Sequence, residues 1–235
     1  MKKLYNEDNL TLLTDFYELT MANGFFQNGY KDQIVYFDMF FRTIPDGGGM
    51  AIMAGVEQMI EYLKALSFTP EDIEYLRSKK LFSEEFLAYL RDFRFSCDVW
   101  AVPEGTPIFP HEPVVTVRGP VVQAQFIETM ILLSINHQSL IATKANRIVR
   151  ASQGRAVMEF GSRRAQGYDG AVYGARAAYI GGCCGTACTL ADREFGIPAR
   201  EVKEAAAAAY EAYDRYKEEL RRQGAEMIAY ARKQH

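Results

Sequence analysis

Two adjacent arginines, Arg163 and Arg164, are the residues of this sequence best suited to binding chemistry. They follow a short apolar run within the segment "VMEFGSRRAQG", residues 157–167. Guanidinium groups bind carboxylates and phosphates through paired hydrogen bonds, and two of them side by side are costly to place unless an anion meets them. The alternative is a solvated strand end, where neighbouring arginines carry no function. The segment by itself leaves both interpretations open.

The elements around the two arginines favour a ligand site. The stretch "RAVMEFGS", residues 155–162, predicts a strand, and "DGAVYGARAAYIGG", residues 169–182, predicts a helix. In a βα unit of this kind the ligand lies at the carboxyl end of the strand, where Arg163 and Arg164 fall. Because adjacent strand residues point to opposite faces, we expect only one arginine in direct contact, and we assign that role to Arg163.

The histidines are weaker candidates for chemistry. His137 shares one face of a long predicted helix with Phe126, Met130 and Leu133. A lone imidazole on an apolar face is more often a hydrogen-bonded core residue than a ligand. His111 lies in a proline-flanked turn, where no neighbouring group supports a role as a base. We therefore assign neither histidine to a site.

The four cysteines indicate packing in a reducing compartment. Cys183, Cys184 and Cys188 crowd into a glycine-rich turn, while Cys97 stands alone. No C-x-x-C spacing and no nearby histidine accompanies them, so we predict no metal site. This cysteine usage is typical of a cytosolic protein.

Composition excludes several classes of function. The 235 residues are 49% hydrophobic and 24% charged, with a net charge of -3, which favours neither a nucleic-acid nor a membrane partner. The first 13 residues contain no continuous apolar stretch typical of a secretory signal, and no later run approaches membrane-spanning length.

The N-terminal half reads as mixed helix and strand. Residues 11–27 predict a helix in which Asp15 and Glu18 form a capping arrangement, and a strand from Ile34 to Arg42 follows. Residues 56–66 predict an amphipathic helix, and Thr69 and Ser83 cap two short helices after it. Residues 98–120 predict several short strands with tight turns.

The C-terminal half is mostly helical. Residues 121–153 predict one long helix, and residues 185–196 a helix that Gly196 ends. We predict the α/β class, with an α+β domain over residues 1–152 and the first βα unit of an incomplete barrel over residues 153–200. An alanine-rich tail, residues 201–235, predicts a packing or self-association helix that closes the fold.

Four stretches of the sequence carry a family resemblance: "LLTDFYELTMANGFF", "PEGTPIFPHEPVVTVRGP", "LLSINHQSLIATKANRIV" and "MEFGSRRAQGYDGA", which leads into "YIGGCCGTACTLADREFGIPA". Their order and spacing cover about residues 8–199. Together they resemble the nicotinate phosphoribosyltransferases, within the type II phosphoribosyltransferase fold. The alternative within the fold is a quinolinate phosphoribosyltransferase, although "TDFYELTMA" favours the nicotinate type.

This resemblance implies an activity and a set of site residues. Such enzymes join nicotinate to 5-phosphoribosyl pyrophosphate in the entry step of NAD salvage, with Mg²⁺ and ATP as cofactors, and act as dimers. By resemblance, Tyr17 and Phe160 stack on the pyridine ring, with Tyr17 reaching the site of a neighbouring subunit. Arg163 contacts the phosphoribosyl substrate or product, and Arg164 lies beside it. Nothing in the residues present identifies a site for either cofactor.

The resemblance stops near Ala199. The family continues there into a glycine–threonine segment carrying a histidine that ATP phosphorylates, whereas this sequence reads "REVKEAAAAAYEAY". No histidine occurs between His137 and His235. We therefore expect a shortened or recombined chain that retains no catalytic residue and is inactive alone. The alternative is a non-catalytic α/β module whose terminal helix acts as a cap or oligomerisation element.

Overall fold

The computed structural model describes residues 9–199 together with Glu218 and Arg222. The chain divides into two compact units, Met1–Pro198 and Ala199–His235. In the second unit, Glu218 and Arg222 are helical and exposed, and the rest of the predicted tail helix lies outside the described residues. The predicted boundary between residues 152 and 153 stays a prediction.

Helices dominate residues 9–198 of the first unit, and five short strands complete this described part, which confirms the α/β class. The helices are α1 Phe16–Gln27, α2 Val56–Ala65, α3 Pro70–Ser78, α4 Glu84–Arg91, α5 Val121–Phe126, α6 Glu128–Ala151, α7 Tyr168–Ile180 and α8 Thr189–Phe195. The strands are β1 Ile34–Met39, β2 Ala51–Ile52, β3 Asp98–Ala101, β4 Pro107–Ile108 and β5 Val115–Pro120. Two 3₁₀ turns span Pro45–Gly47 and Ser162–Arg164.

Strands β1, β5 and β3 form an antiparallel sheet in that order. Arg118 on the central strand faces Tyr36 on one side and Asp98 on the other. Its guanidinium donates to the Tyr36 hydroxyl at 2.9 Å and to Asp98 Oδ2 at 3.0 Å, which links all three strands across one face. A second, two-stranded sheet pairs β2 with β4.

The main core lies between this sheet and helices α1–α6. Phe126 is buried at its centre, with its ring edge-on to Phe68 at a centroid distance of 5.2 Å. Helix α6 also borders the second sheet, where Ser139 and Thr143 accept hydrogen bonds from the backbone N–H groups of Ala54 and Ile52. Helix α6 therefore connects the two sheets.

Sequence signals for the start or end of a helix are confirmed where they depend on residues a few positions apart. Thr69 and Asp72 form a reciprocal capping box at the start of α3, and the Ser83 hydroxyl accepts the Phe86 N–H at the start of α4. Gly196 ends α8 in the left-handed conformation, at φ 64°.

The predicted long helix over residues 121–153 is divided in two at Ile127. In a continuous helix the Thr129 N–H would bond to the carbonyl of Gln125. It donates instead to the carboxylate of Glu18, at 3.2 Å, so a side chain from α1 caps the start of α6. The prediction of one helix was wrong because that cap comes from a residue distant in sequence.

Two boundary predictions in the N-terminal half also need correction. Helix α1 begins at Phe16, and Asp15 makes no side-chain capping bond, because Glu18 is buried against α6 instead. Strand β1 ends at Met39 rather than Arg42, since Phe41 turns into the core beyond it.

The strand predicted over residues 155–162 is reduced to one parallel bridge between Glu159 and Thr186. Three backbone bonds support it, including Ala187 N–H to Glu159 O at 2.9 Å. Helix α7 lies between the two bridged segments in sequence, which is the connection typical of a parallel βαβ unit. The bridge does not extend into a longer strand because, among the described residues, the segment around Glu159 pairs with a neighbouring segment on one side only.

Helix α7 packs closely along α6. A Cβ added at Gly181 would lie 2.4 Å from the Ala142 carbonyl oxygen of α6, so only glycine fits at this contact. No described helix has both the length and the apolar character needed to cross a bilayer.

Candidate functional site

Arg163 and Arg164 lie on the 3₁₀ turn Ser162–Arg164, here called the arginine turn. Both residues are exposed. They were predicted to follow the carboxyl end of a strand, with their side chains alternating as in a strand; because they lie in a 3₁₀ turn, that alternation does not apply. Residues in a 3₁₀ turn are separated by about 120°, which lets both side chains reach one ligand. The choice of Arg163 as the first contact stays a prediction.

Glu159 fastens the arginine turn to the parallel bridge. Its Oε1 accepts the N–H of Gly161, and its Oε2 accepts the hydroxyl of Thr186 at 2.6 Å. Thr186 Oγ1 in turn accepts the Cys188 N–H at 2.9 Å. Because both oxygens of this carboxylate are engaged, Glu159 positions the turn rather than acting as a free base.

The arginine turn leads directly into α7. Gly167, at φ 86°, is the N-cap residue, and the helix begins at Tyr168. The first N–H groups of a helix and its dipole favour an anion at this end. Two exposed guanidiniums and a helix N-terminus therefore combine in one short stretch of chain.

Two buried polar atoms border this stretch without a hydrogen-bond partner in the described part of the chain: His137 Nε2 and Ser162 Oγ. A Cβ at Gly170 of α7 would lie 3.8 Å from His137 Cε1 and 4.0 Å from the Ala165 Cβ. His137 thus packs against the first turn of α7. Buried polar groups are almost always paired, so two unpaired ones here indicate a place for a ligand atom or a water.

This finding corrects the prediction for His137, whose Nε2 is unsatisfied rather than hydrogen-bonded in a core. The predicted apolar face also fails at Leu133, which is 51% exposed. Ser162 was not among the predicted site residues, and the one feature of the sequence that points to it is its position directly before the two arginines.

Phe160 and Tyr17 are both exposed aromatic residues, at 47% and 44%. Phe160 lies just before the arginine turn, whereas Tyr17 lies in the first turn of α1. Within the described part of the chain their two rings do not contact each other. Their predicted shared role across two subunits stays a prediction.

The Tyr17 hydroxyl donates a hydrogen bond to Glu128 Oε2 at 2.9 Å. Burial of the hydroxyl, the bond to Glu128 and nearby carboxylates raise the pKa of Tyr17 to about 12. The adjacent Glu18 is fully buried, and its carboxylate accepts bonds from the hydroxyls of Thr14 and Thr129. The start of α1 is thereby fastened to the start of α6.

Arg176 of α7 holds that helix against the N-terminal part of the fold, and no sequence pattern pointed to it. Its guanidinium is buried and donates to Glu57, to both oxygens of Glu104, and to Gln138 Oε1 at 3.1 Å. Glu104 Oε1 also accepts the backbone N–H groups of Gly55 and Val56, at 2.6 and 2.9 Å. One carboxylate thus caps α2 and holds α7.

Among the described residues, no group of three or more His, Cys, Asp or Glu side chains could hold a metal ion. The four cysteines are free thiols, and Cys184 Sγ lies 3.5 Å from Met158 Sδ. The arginine turn offers cations and N–H donors, which suit phosphate or carboxylate rather than a metal.

Comparison with known proteins gives consistent matches. The family model for the nicotinate phosphoribosyltransferase N-terminal domain matches residues 12–136. A nicotinate phosphoribosyltransferase of Mycobacterium tuberculosis is 46% identical over 187 residues, covering 80% of this chain and 40% of that protein. A nicotinate phosphoribosyltransferase of Bacillus subtilis is 39% identical over 194 residues, covering 83% of this chain and 40% of that protein.

Two solved structures are also similar. Human nicotinic acid phosphoribosyltransferase has a TM-score of 0.74 at 34% identity, over 80% of this chain and 38% of the human one. Nicotinate-nucleotide pyrophosphorylase from Pyrococcus furiosus has a TM-score of 0.65 at 28% identity, over 86% of this chain and 45% of that one. The chain spans about two fifths of the length of these curated relatives.

Proposed function

The chain belongs to the nicotinate phosphoribosyltransferase family, and from this we propose that it binds nicotinate and a phosphoribosyl group at the arginine turn. The proposed reaction at such a site joins the pyridine nitrogen of nicotinate to C1 of 5-phosphoribosyl pyrophosphate, and in this proposal the described residues supply the binding groups rather than the catalytic ones. The products are nicotinate mononucleotide and pyrophosphate. Such a reaction passes through a ribosyl cation-like state, so anionic groups must be held in line with the ring.

The observation that carries this proposal is the arginine turn at the start of α7. Arg163 and Arg164 are exposed there, and Ser162 Oγ and His137 Nε2, both buried and without a partner among the described residues, border the same stretch. A phosphate or carboxylate matches this set, because guanidiniums, a hydroxyl and helix N–H groups all donate to oxygen. In this proposal Arg163 binds the phosphoribosyl group, and Arg164 supports it.

The aromatic residues complete the proposed site. Phe160, next to the turn, offers a flat apolar surface for the pyridine ring. Tyr17 of a second copy supplies the opposite surface, which makes a homodimer part of the proposal. A cytosolic location also remains a proposal.

Binding of Mg²⁺ and ATP is expected from membership of the family and stays a proposal for this chain. The described residues hold no carboxylate cluster for a metal, so a fitting Mg²⁺ would be bound through the substrate phosphates. When bound, it would neutralise charge on the departing pyrophosphate. The chain's own arginines bind and orient the phosphoribosyl group independently of that ion.

Calorimetric titration of nicotinate, nicotinate mononucleotide and quinolinate into the purified chain tests the proposal. We expect saturable binding of the mononucleotide and at least tenfold weaker binding by Arg163→Ala, since a charge-assisted bond is worth about 1.5–3 kcal/mol. Arg155→Ala is the matched control, because Arg155 is exposed at the other end of the same segment. Equal affinity in both variants, or tighter binding of quinolinate, would contradict the proposal.

A further inference from the structure

Carboxylates surround the exposed ring of Tyr17. The hydroxyl donates to Glu128 at 2.9 Å, and the charges of Glu128, Glu18 and Asp15 act on it after burial to raise its pKa to about 12. A carboxylate therefore lies directly against the hydroxyl end of the Tyr17 ring.

This arrangement is rigid before any ligand arrives. Glu18 is fully buried and bonded to Thr14 and Thr129, and the backbone N–H of Asp15 donates to Thr129 Oγ1 at 3.2 Å. The Tyr17 ring nevertheless stays 44% exposed. A fixed, accessible ring with fixed negative charge beside it is preorganised for a cation.

The charge of the pyridine ring changes during the proposed reaction. Nicotinate carries a carboxylate and a neutral ring nitrogen. When the nitrogen lone pair forms the bond to C1 of the ribose, the bond from C1 to the pyrophosphate oxygen breaks with its electron pair, and the ring becomes a pyridinium cation. The ring carboxylate is the same before and after the reaction, so an aromatic face with a carboxylate behind it attracts the pyridinium ring more strongly than the neutral ring of nicotinate.

We propose that Tyr17 and Glu128 together form a cation-selective aromatic contact that distinguishes the pyridinium ring of the product from the neutral ring of nicotinate. In this inference, which rests on the proposed function, Tyr17 touches the ring and Glu128 is a positioning residue that acts through it. An interaction that strengthens as positive charge develops lowers the barrier more than one that binds both states equally.

Two small probes isolate this effect: nicotinate and 1-methylnicotinate. Both carry the same carboxylate, and neither carries a phosphate, but only the second has a positive ring nitrogen. By calorimetry or ligand-observed NMR, we expect the wild-type chain to bind 1-methylnicotinate about fivefold more tightly. Glu128→Gln retains a hydrogen-bond acceptor and loses the charge, so the ratio should fall towards one.

Two further variants complete the design. Tyr17→Phe keeps the ring but cannot bond to Glu128, and it should lower the ratio without abolishing binding of either probe. Glu112→Gln removes an exposed carboxylate elsewhere and should leave the ratio unchanged. Tyr17→Phe also serves if the Glu128 variant folds poorly, which a thermal melt reveals.

The possible results separate this inference from the function on which it rests. If both probes bind and Arg163→Ala weakens binding of nicotinate mononucleotide, but the ratio of the two probe affinities is the same in wild type, Glu128→Gln and Tyr17→Phe, the inference is overturned and the proposed function stands. If the wild-type chain binds neither probe nor the mononucleotide, both fail together.

Discussion

Arg176 Nη2 lies 2.6 Å from Glu104 Oε2, across the junction between α7 and the start of α2. The guanidinium is buried, and the same carboxylate accepts two backbone N–H groups at the N-terminus of α2. This ion pair therefore sets the position of α7, and with it the arginine turn, against the N-terminal part of the fold.

Glu104→Gln should lower the free energy of unfolding by about 2–3 kcal/mol, because it leaves a buried guanidinium only partly paired. Urea unfolding followed by circular dichroism measures this change. Glu84→Gln is the control: Glu84 pairs with Arg77 on the surface, where solvent screens the charges, so stability should hardly change. Equal losses in both variants would show that burial of Arg176 is unimportant.

The pH dependence of stability should differ between Glu104 and Glu18. Burial acts to raise the pKa of Glu104, but the bond and charge of Arg176 outweigh it and hold the pKa below 4.5. Its contribution is thus complete above pH 4.5 and is lost as the pH falls through the lowered pKa.

For Glu18 the sign is reversed, because burial raises its pKa above 4.5 despite the hydrogen bonds that lower it. The folded chain holds this proton more tightly, so wild-type stability falls as the pH rises from 4.5 through the raised pKa. Glu18→Gln removes that slope. We expect urea titrations between pH 4 and 7 to show the free energy of unfolding of the variant rising relative to that of the wild type as the pH rises. Parallel plots of this free energy against pH would refute the assignment.

Gly55→Ala should destabilise the chain by about 3 kcal/mol. Gly55 has φ 101°, and a Cβ there would lie 2.4 Å from the Ser134 carbonyl oxygen of α6. Gly24→Ala is the matched opposite: Gly24 is within α1 with open space around it, so alanine should stabilise by about 0.5–1 kcal/mol. Thermal melts of both variants test the pair, and a neutral Gly55→Ala would show that α2 can shift away from α6.

Mixing two defective variants tests whether Tyr17 serves a neighbouring copy. Glu128 bonds to Tyr17, and His137 packs beside the arginine turn. The two residues are nine positions apart on α6, which is about 900° or two and a half turns, so they lie on opposite faces of the helix. Tyr17→Leu and Phe160→Leu should each bind nicotinate mononucleotide poorly. After mixing, about a quarter of the sites should recover, as random pairing of copies predicts. No recovery in a mixture shown to exchange subunits would place both rings within one copy.

The parts of the fold that depend on near neighbours could be predicted from the sequence. The caps at Thr69 and Ser83 and the helix end at Gly196 each involve residues within four positions, and all three are confirmed. The bond from Thr129 to Glu18 spans 111 positions and divides a helix that periodicity alone makes continuous. Side-chain pairing over such distances leaves no local pattern.

The candidate site shows the same limit. Its cationic character follows from "SRR", but the 3₁₀ turn depends on Glu159, which bonds both to Gly161, two positions away, and to Thr186, 27 positions away. Arg176 lies in a helix of small residues, where nothing distinguishes it from a solvated arginine until Glu57 and Glu104 are placed around it.

The opposite orientation of Glu128 and His137 on α6 has a consequence for how ligand and protein concentration are linked. A site that needs the Tyr17 of one copy and the arginine turn of another exists only in the associated state. Dilution would then weaken apparent ligand affinity, and saturating ligand would tighten self-association by the same factor. The affinity of this protein for a pyridine nucleotide would therefore depend on the protein concentration as well as on the residues of the site.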